Sequence, residues 1–180
     1  MDRFGWVWGP ATASSVSVGG GVDGAFSVSV ESESAGEIHA VRISPDGTRA
    51  LVLRGSDASA WVGVVERGAS GRPLAIRALE QIPLEHGSVV DASWTTSTGI
   101  MLVVRSTGED DQLVMLPLGG LPSNVSLPIR VTSMSAGGSS SAVVISGTDA
   151  AGKAQVLIRS GALWAAFSFW ARFAGARNRR

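Results

Sequence analysis

The stretch EIHAVRISPDGTRALVL, from Glu37 to Leu53, contains two apolar segments separated by the corner Ser44-Pro45-Asp46-Gly47. Pro45 presets φ at the first central position of a turn, Asp46 accepts hydrogen bonds from nearby backbone, and Gly47 tolerates a positive φ. The stretch therefore predicts a β-hairpin, in which the corner joins two apolar strands.

The same two-strand pattern recurs along the chain. The second strand of the hairpin, centred on Val52, resembles segments centred on Val103 and Val144, and the successive spacings are 51 and 41 residues. Near the N-terminus, Phe4-Gly5-Trp6-Val7-Trp8 matches the second strand of an earlier copy. A period of about 40 to 50 residues is typical of the four-stranded blades of a β-propeller.

Segments between the hairpins supply the third and fourth strands of each blade, and we predict them at residues 60–65, 73–79, 112–116, 121–127 and 154–158. The first copy begins in the middle of a blade, and the last copy ends in the middle of one. We therefore predict an all-β fold, a partial propeller of about three to four antiparallel blades over residues 1–164. A β-sandwich with similar strand spacing is the alternative.

Composition agrees with this class. The 180 residues include 23 glycines and 7 prolines, as expected for short strands joined by tight turns. The 15 basic residues balance the 15 acidic ones, so no global charge favours nucleic acid as a partner. Without cysteine, the chain has no disulfide, thiolate metal site or lipid-modified cysteine.

The C-terminal residues 165–180 depart from the repeat and contain no acidic residue. Leu163, Phe167, Trp170 and Ala174 recur at helical spacing, which favours a basic amphipathic helix, whereas aromatic residues on its polar side favour a disordered tail. At the other end, the sequence shows no secretory signal, and no run of about 18 apolar residues predicts a membrane span.

The sequence offers little catalytic chemistry. A nucleophile elbow needs G-x-S-x-G, and Gly68-Ala69-Ser70-Gly71 has the wrong spacing. His39 and His86 are 47 positions apart, and each stands beside apolar or turn residues, so we interpret both as structural or exposed.

The acidic residues give no recognisable site either. Glu31 and Glu33 alternate on a predicted strand, and Glu109-Asp110-Asp111 is interpreted as a solvated loop rather than a Ca²⁺ site. No zinc signature, phosphate loop or dinucleotide fingerprint is present. We predict no catalytic, cofactor-binding or metal-binding residue, and no cofactor.

Six tryptophans without tyrosine suggest packing more than an aromatic binding surface. Trp61 and Trp94 stand where other copies carry aliphatic residues, and Trp6 and Trp8 alternate on one strand, so we predict these four in the core. The sequence does not assign Trp164 or Trp170.

The run from Ile38 to Ala50, followed by Val89-Val90-Asp91-Ala92-Ser93-Trp94, resembles the C-terminal β-propeller domain of the actinobacterial lipoprotein LpqB. Asp2-Arg3-Phe4-Gly5-Trp6-Val7-Trp8 also fits that family. The similarity runs from about residue 2 to about residue 164 and covers the later blades only.

The resemblance implies a non-enzymatic, lipid-anchored accessory protein on the outer side of the cell membrane. Its implied partner is the sensor kinase MtrB of the MtrA–MtrB two-component system. The sequence lacks the signal peptide and the lipobox cysteine of that family, which is consistent with a truncated remnant and leaves membrane attachment to an anchor that this sequence does not contain.

Two other functions remain open from the residues. One is the propeller part of a prolyl-oligopeptidase-like hydrolase whose catalytic domain is encoded elsewhere. The other is a TolB-like binding propeller, because the Ser-Pro-Asp-Gly corner is shared with such repeats.

Overall fold

The computed structural model describes residues 6–11, 15–20, 25–30, 37–54, 58–136, 142–160 and 163–168. In these ranges the secondary structure consists of strands and turns. The strands are β1 Trp6–Ala11, β2 Ser15–Gly20, β3 Ala25–Val30, β4 Ile38–Ile43, β5 Arg49–Arg54, β6 Ser59–Arg67, β7 Pro73–Gln81, β8 Ser88–Trp94, β9 Gly99–Arg105, β10 Gln112–Pro117, β11 Ser123–Ser126, β12 Arg130–Ala136, β13 Ala142–Thr148, β14 Ala154–Ser160 and β15 Leu163–Ser168.

Three four-stranded antiparallel units follow one another in the chain. We call them blade I (β4–β7), blade II (β8–β11) and blade III (β12–β15), and in each the strands pair in sequence order. Their first strands, β4, β8 and β12, stand side by side as the innermost strands of the array. The predicted all-β fold with propeller-like blades is confirmed.

The N-terminal ribbon (β1–β3) is antiparallel and forms a further, three-stranded unit. Its strand β3 pairs in parallel with β7, through Ser29↔Ala75 and Val30↔Ile76, which merges the ribbon and blade I into one seven-stranded sheet. Strand β1 also approaches β4. The ribbon therefore lies beside blade I, on the side away from blade II.

The core lies between units rather than within any one of them. One cluster, which includes Leu51, Trp94 and Leu102, joins blades I and II. A second, which includes Val103 and Ile145, joins blades II and III. The third joins the ribbon to blade I and contains Val28, Val30, Ile38, Ala50, Val52, Val65 and Ile76. Because blades I and II each bury their two faces against different neighbours, stability depends on stacking.

The corner that predicted the hairpin forms as expected. Gly47 N–H donates to the Ser44 carbonyl at 2.8 Å, and Gly47 has a φ of 73°. The Asp46 carboxylate accepts from Ser44 Oγ at 2.5 Å and from Thr48 N–H at 3.1 Å. Although burial opposes it, these hydrogen bonds hold the pKa of Asp46 below its ordinary value. The carboxylate thus closes the turn.

In each innermost strand the register of strand pairing skips one residue, and this bulge sets the true register of the repeat. Pairing skips His39 in β4, Val90 in β8 and Thr132 in β12. Just after the bulges, Ala40 pairs with Leu53 and Asp91 pairs with Val103. The predicted equivalence of Val52 and Val103 is therefore wrong by one residue, which exchanges the two faces of the strand.

The predicted C-terminal helix is wrong where the structure describes it. Residues Leu163–Ser168 form strand β15, which pairs with β14 through Ile158↔Ala165 and Val156↔Phe167. The open edge of β14 supplies backbone partners that outweigh the helical spacing of the side chains. The rest of the predicted tail lies outside the described residues.

The other strand predictions are confirmed. The predicted third and fourth strands fall in β6, β7, β10, β11 and β14. Strand β1 contains Trp6 to Trp8 of the predicted earlier copy, whereas Phe4 and Gly5 lie outside the described residues. In the described ranges, no helix is long and apolar enough to cross a membrane.

Candidate functional site: carboxylate clamps and an inter-blade groove

Asp111 is a buried carboxylate that ties blade II to blade III. It lies between β9 and β10, and its side chain is 1% exposed. Arg105 donates to it from Nε at 2.8 Å and from Nη2 at 2.7 Å, and Val131 N–H of β12 donates at 2.6 Å. Arg105 Nη2 also donates to the Val131 carbonyl at 2.8 Å. The pair therefore holds both backbone groups of Val131.

The same contacts fix the charge of Asp111. Burial opposes ionisation, but hydrogen bonds from Arg105 and Val131 N–H, together with the Arg105 charge, outweigh it and lower the pKa of Asp111. The carboxylate is thus stabilised in its ionised form.

Asp91 forms a second clamp, on the innermost strand of blade II. Its Oδ2 accepts Met134 N–H of blade III at 2.8 Å, and its Oδ1 accepts Ala92 N–H at 2.8 Å. Arg42 of blade I donates to Oδ1 at a longer 3.4 Å. One side chain therefore contacts three successive blades. We call Asp111 and Asp91, with these partners, the two carboxylate clamps, because each carboxylate holds a backbone N–H of blade III.

Asp149 caps the β13–β14 turn. It accepts Lys153 N–H at 2.9 Å, Gln155 Nε2 at 2.9 Å and Ala151 N–H at 3.0 Å, and these bonds lower its pKa. Like Asp46, it is a turn residue rather than a reactive acid.

The structure does not bring the predicted titratable candidates together. His39 and His86 are both exposed. His39 lies in β4, and His86 lies in the loop between β7 and β8. Glu109 and Asp110 are exposed as predicted, whereas Asp111 of the same run is buried, so its solvated-loop interpretation is wrong. Glu31 and Glu33 lie outside the described residues. Across the described ranges, no group of three or more His, Cys, Asp or Glu is placed to hold a metal ion.

The tryptophans follow the core prediction in part. Trp94 is 3% exposed and donates from Nε1 to the Arg42 carbonyl at 2.9 Å, whereas Trp61 is only half-buried. Trp164 is exposed, with the Arg159 guanidinium 5.8 Å from its ring centre. Nothing is described of the Trp6 and Trp8 side chains, and Trp170 lies outside the described residues.

A groove of about 430 Å³ runs between blade I and the β10–β11 hairpin of blade II. Val62, Val64, Leu116 and Leu118 supply apolar walls, and Arg49 and Glu80 supply opposite charges. This combination of apolar walls with a few charged groups suits a side chain or short segment of a protein partner.

The floor of the groove has unusual backbone geometry. Ala78 has a φ of +49°, a conformation that a residue with a Cβ rarely adopts. It sits where the β6–β7 register shifts, beside Gly63, at which a Cβ would lie 2.8 Å from both Ile76 Cγ2 and Leu79 Cδ2. The strained Ala78 and the close-packed Gly63 thus both lie at the register shift in this wall of the groove.

Comparison with known families now identifies the fold. The family model described as the lipoprotein LpqB beta-propeller domain matches residues 1–169. The chain belongs to the LpqB β-propeller family. Membership of the LpqB family accounts for the repeated hairpins and stacked blades described above. A search of curated proteins found no match.

One solved structure agrees with the fold assignment of this LpqB-family chain, and a second shows a weaker similarity. The β-propeller domain of Cps50 (Swd1) from Myceliophteria thermophila matches with a TM-score of 0.58 and 14% identity, covering 86% of this chain and 52% of that one. Hsv2 from Kluyvelomyces marxianus matches with a TM-score of 0.48 and 11% identity, covering 87% and 52%. The chain thus spans about half the length of these solved structures.

Proposed function

We propose that the chain is a non-enzymatic protein-interaction module that serves as an accessory to the MtrA–MtrB two-component system at the cell envelope. Membership of the LpqB family is the observation that carries this proposal. The partner is the sensor kinase MtrB, and attachment to the membrane is through a lipid anchor of the type found in that family. The site of action is extracytoplasmic.

The contacts of four aspartates, two of them buried, support a scaffold role. Asp91 and Asp111 bind backbone amides of the next blade, and Asp46 and Asp149 close turns. Each of these carboxylates accepts at least two hydrogen bonds in a structural role. The inter-blade groove is the surface that we assign to the partner, because its apolar walls and its two opposite charges suit a peptide segment.

The test measures binding between the 180-residue chain and the purified extracytoplasmic domain of MtrB. Val64→Asp places a charge in the groove at a side chain that is 54% exposed, so folding should be preserved. We expect this change to weaken binding by at least about tenfold, the effect of losing an apolar interface contact.

Leu74→Asp is the matched control. Leu74 is also 54% exposed and also belongs to blade I, but it does not line the groove. Its change should leave the affinity within about twofold. Absence of binding by the unaltered chain would contradict the MtrB assignment. Equal weakening by both substitutions would instead contradict the groove as the docking surface.

A further inference from the structure

The seam between blades II and III is packed at its inner end and exposed at its outer end. The apolar cluster that joins the two blades fills the inner end. Further out, Val125 of β11 stands opposite Leu113 of that cluster, on the same face of blade II. Trp164 of β15 stands opposite Arg159 of β14. Val125 and Trp164 are each 38% exposed. We call this region the outer seam, and its walls include Met115, Val125, Arg159 and Trp164.

Arg159 places a guanidinium in the outer seam. It alternates with Leu157, which is buried against blade II, so its side chain leaves β14 on the same face. Its Nη1 donates to Met115 Sδ of β10, so the side chain reaches from blade III to blade II. Its guanidinium carbon lies 5.8 Å from the centre of the Trp164 ring. The cation is therefore held between a thioether and an indole.

The repeat shows that packing alone does not require an arginine at this position. Counted from the bulges, Arg159 in β14 corresponds to Leu116 in β10. By the same count, Met115 in β10 corresponds to Val62 in β6. Val62 and Leu116 are apolar walls of the inter-blade groove between blades I and II. The outer seam is thus the next copy of that groove, with a guanidinium in place of one apolar wall.

Among the described residues, the Arg159 guanidinium has no carboxylate partner. Its Nε is buried and makes no hydrogen bond there, and the Met115 sulfur that Nη1 contacts is a weak acceptor. Arg105, by contrast, donates to Asp111 from both Nε and Nη2. A buried donor without an acceptor is costly, so Arg159 favours an added carboxylate.

The sequence around the outer seam supplies no such carboxylate. Four turns lie at this end of blades II and III, and none of them contains an acidic residue: they are residues 95–98, 118–122, 137–141 and 161–162. The positive charge of Arg159 is therefore not balanced by the turns next to it. Charge complementarity points to an acidic group on another molecule.

We propose that the outer seam binds an acidic side chain of a protein partner, within a segment in which an apolar residue adjoins the acid. The carboxylate replaces the Met115 sulfur as acceptor of the guanidinium, because a charge-assisted, forked pair is stronger than a contact to a thioether. The adjoining apolar side chain packs on the exposed Trp164 ring. The outer seam lies one blade away from the inter-blade groove, so this inference does not rest on the proposed binding to MtrB.

Nuclear magnetic resonance on the ¹⁵N-labelled 180-residue chain tests this site with a defined probe, the capped dipeptide N-acetyl-glutamyl-phenylalaninamide. The signals to follow are Arg159 Nε–H, which is buried, and the indole N–H of Trp164. We expect both to shift saturably. A probe with glutamine in place of glutamate, and inorganic phosphate, should each bind at least about tenfold more weakly.

Three results of this titration would overturn the proposal. The absence of a saturable shift with the glutamate probe would contradict the site itself. Equal binding of the glutamine probe would contradict recognition of a carboxylate. Equal binding of inorganic phosphate would indicate a general anion site, which is not selective for an acid beside an apolar group.

Substitutions assign the binding to the outer seam. Arg159→Gln, followed through the Trp164 indole, should weaken the glutamate probe by at least about tenfold. Trp164→Ala, followed through Arg159 Nε–H, should weaken it by at least about threefold, and its exposed position favours normal folding. Arg130→Gln is the matched control, because Arg130 is an exposed arginine at the opposite end of blade III, where it pairs with Thr148. It should leave the affinity within about twofold. Equal weakening by Arg130→Gln and Arg159→Gln would reveal a general effect of charge and would contradict the site.

Discussion

Replacement of Asp111 by alanine is expected to lower the free energy of unfolding by about 3 kcal/mol, the low end of the cost of breaking a buried ion pair. Asp111 is almost fully buried and receives two hydrogen bonds from Arg105 and one from Val131 N–H. The substitution leaves the guanidinium without its carboxylate and the amide without its acceptor. Equilibrium denaturation in urea measures the difference.

Asp110→Ala is the matched control, because Asp110 is the exposed neighbour of Asp111 in the same acidic run. Its change should alter stability by less than about 0.5 kcal/mol, as is usual for exposed side chains. Equal destabilisation by both substitutions would contradict the clamp and indicate a general effect of loop charge.

The same clamp predicts a pH dependence. The pKa of Asp111 in the folded state is lower than its unfolded value of about 3.9. Its contribution to the free energy of unfolding is therefore fully present above that unfolded value. The contribution is lost as pH falls through the lower folded pKa. Below about pH 4 the unfolding free energy of the unaltered chain should therefore fall more steeply with decreasing pH than that of Asp111→Ala. Parallel profiles would contradict this assignment.

Leu102→Ala is expected to cost about 3 kcal/mol in unfolding free energy, within the range for buried leucines. Leu102 is 0% exposed, lies in the centre of β9 and packs in the cluster between blades I and II. The substitution removes apolar contacts and leaves a cavity at that interface. Urea denaturation should show a lower midpoint with little change in slope.

Leu121→Ala controls for the loss of a leucine as such, because Leu121 is 88% exposed. It should shift stability by less than about 0.5 kcal/mol. Similar effects of the two changes would mean that blades I and II do not pack through β9.

The fold was largely predictable because turn residues and apolar runs that are close together in sequence define the repeat. The Ser44 to Gly47 corner determines its own turn through short-range hydrogen bonds. Apolar runs after each corner identify the second strands, and the spacing of the copies implies blades. The alignment of Val52 with Val103 was wrong by one residue, which placed Val52 on the wrong face of its strand. The bulge at His39 causes this shift, and it depends on pairing between strands.

The candidate site was much less predictable. Nothing local distinguishes Asp111 from Asp110, because the partners that hold Asp111, the Arg105 side chain and Val131 N–H, lie 6 and 20 residues away. Asp91 lies inside an apolar strand, and a buried acid there indicates that some partner is present. The sequence could not identify that partner, because Met134 is 43 residues away. Strand β15 likewise follows from the open edge of β14 rather than from its own helical spacing.

Amide hydrogen exchange at Val131 and Met134 tests most directly whether the blades stack as described. Both N–H groups donate to carboxylates of blade II, Asp111 for Val131 and Asp91 for Met134, so their protection reports contact between blades rather than strand pairing within one. The account predicts that both exchange as slowly as the amides that join β12 to β13. Rapid exchange at both positions, with the β12–β13 amides still protected, would contradict it.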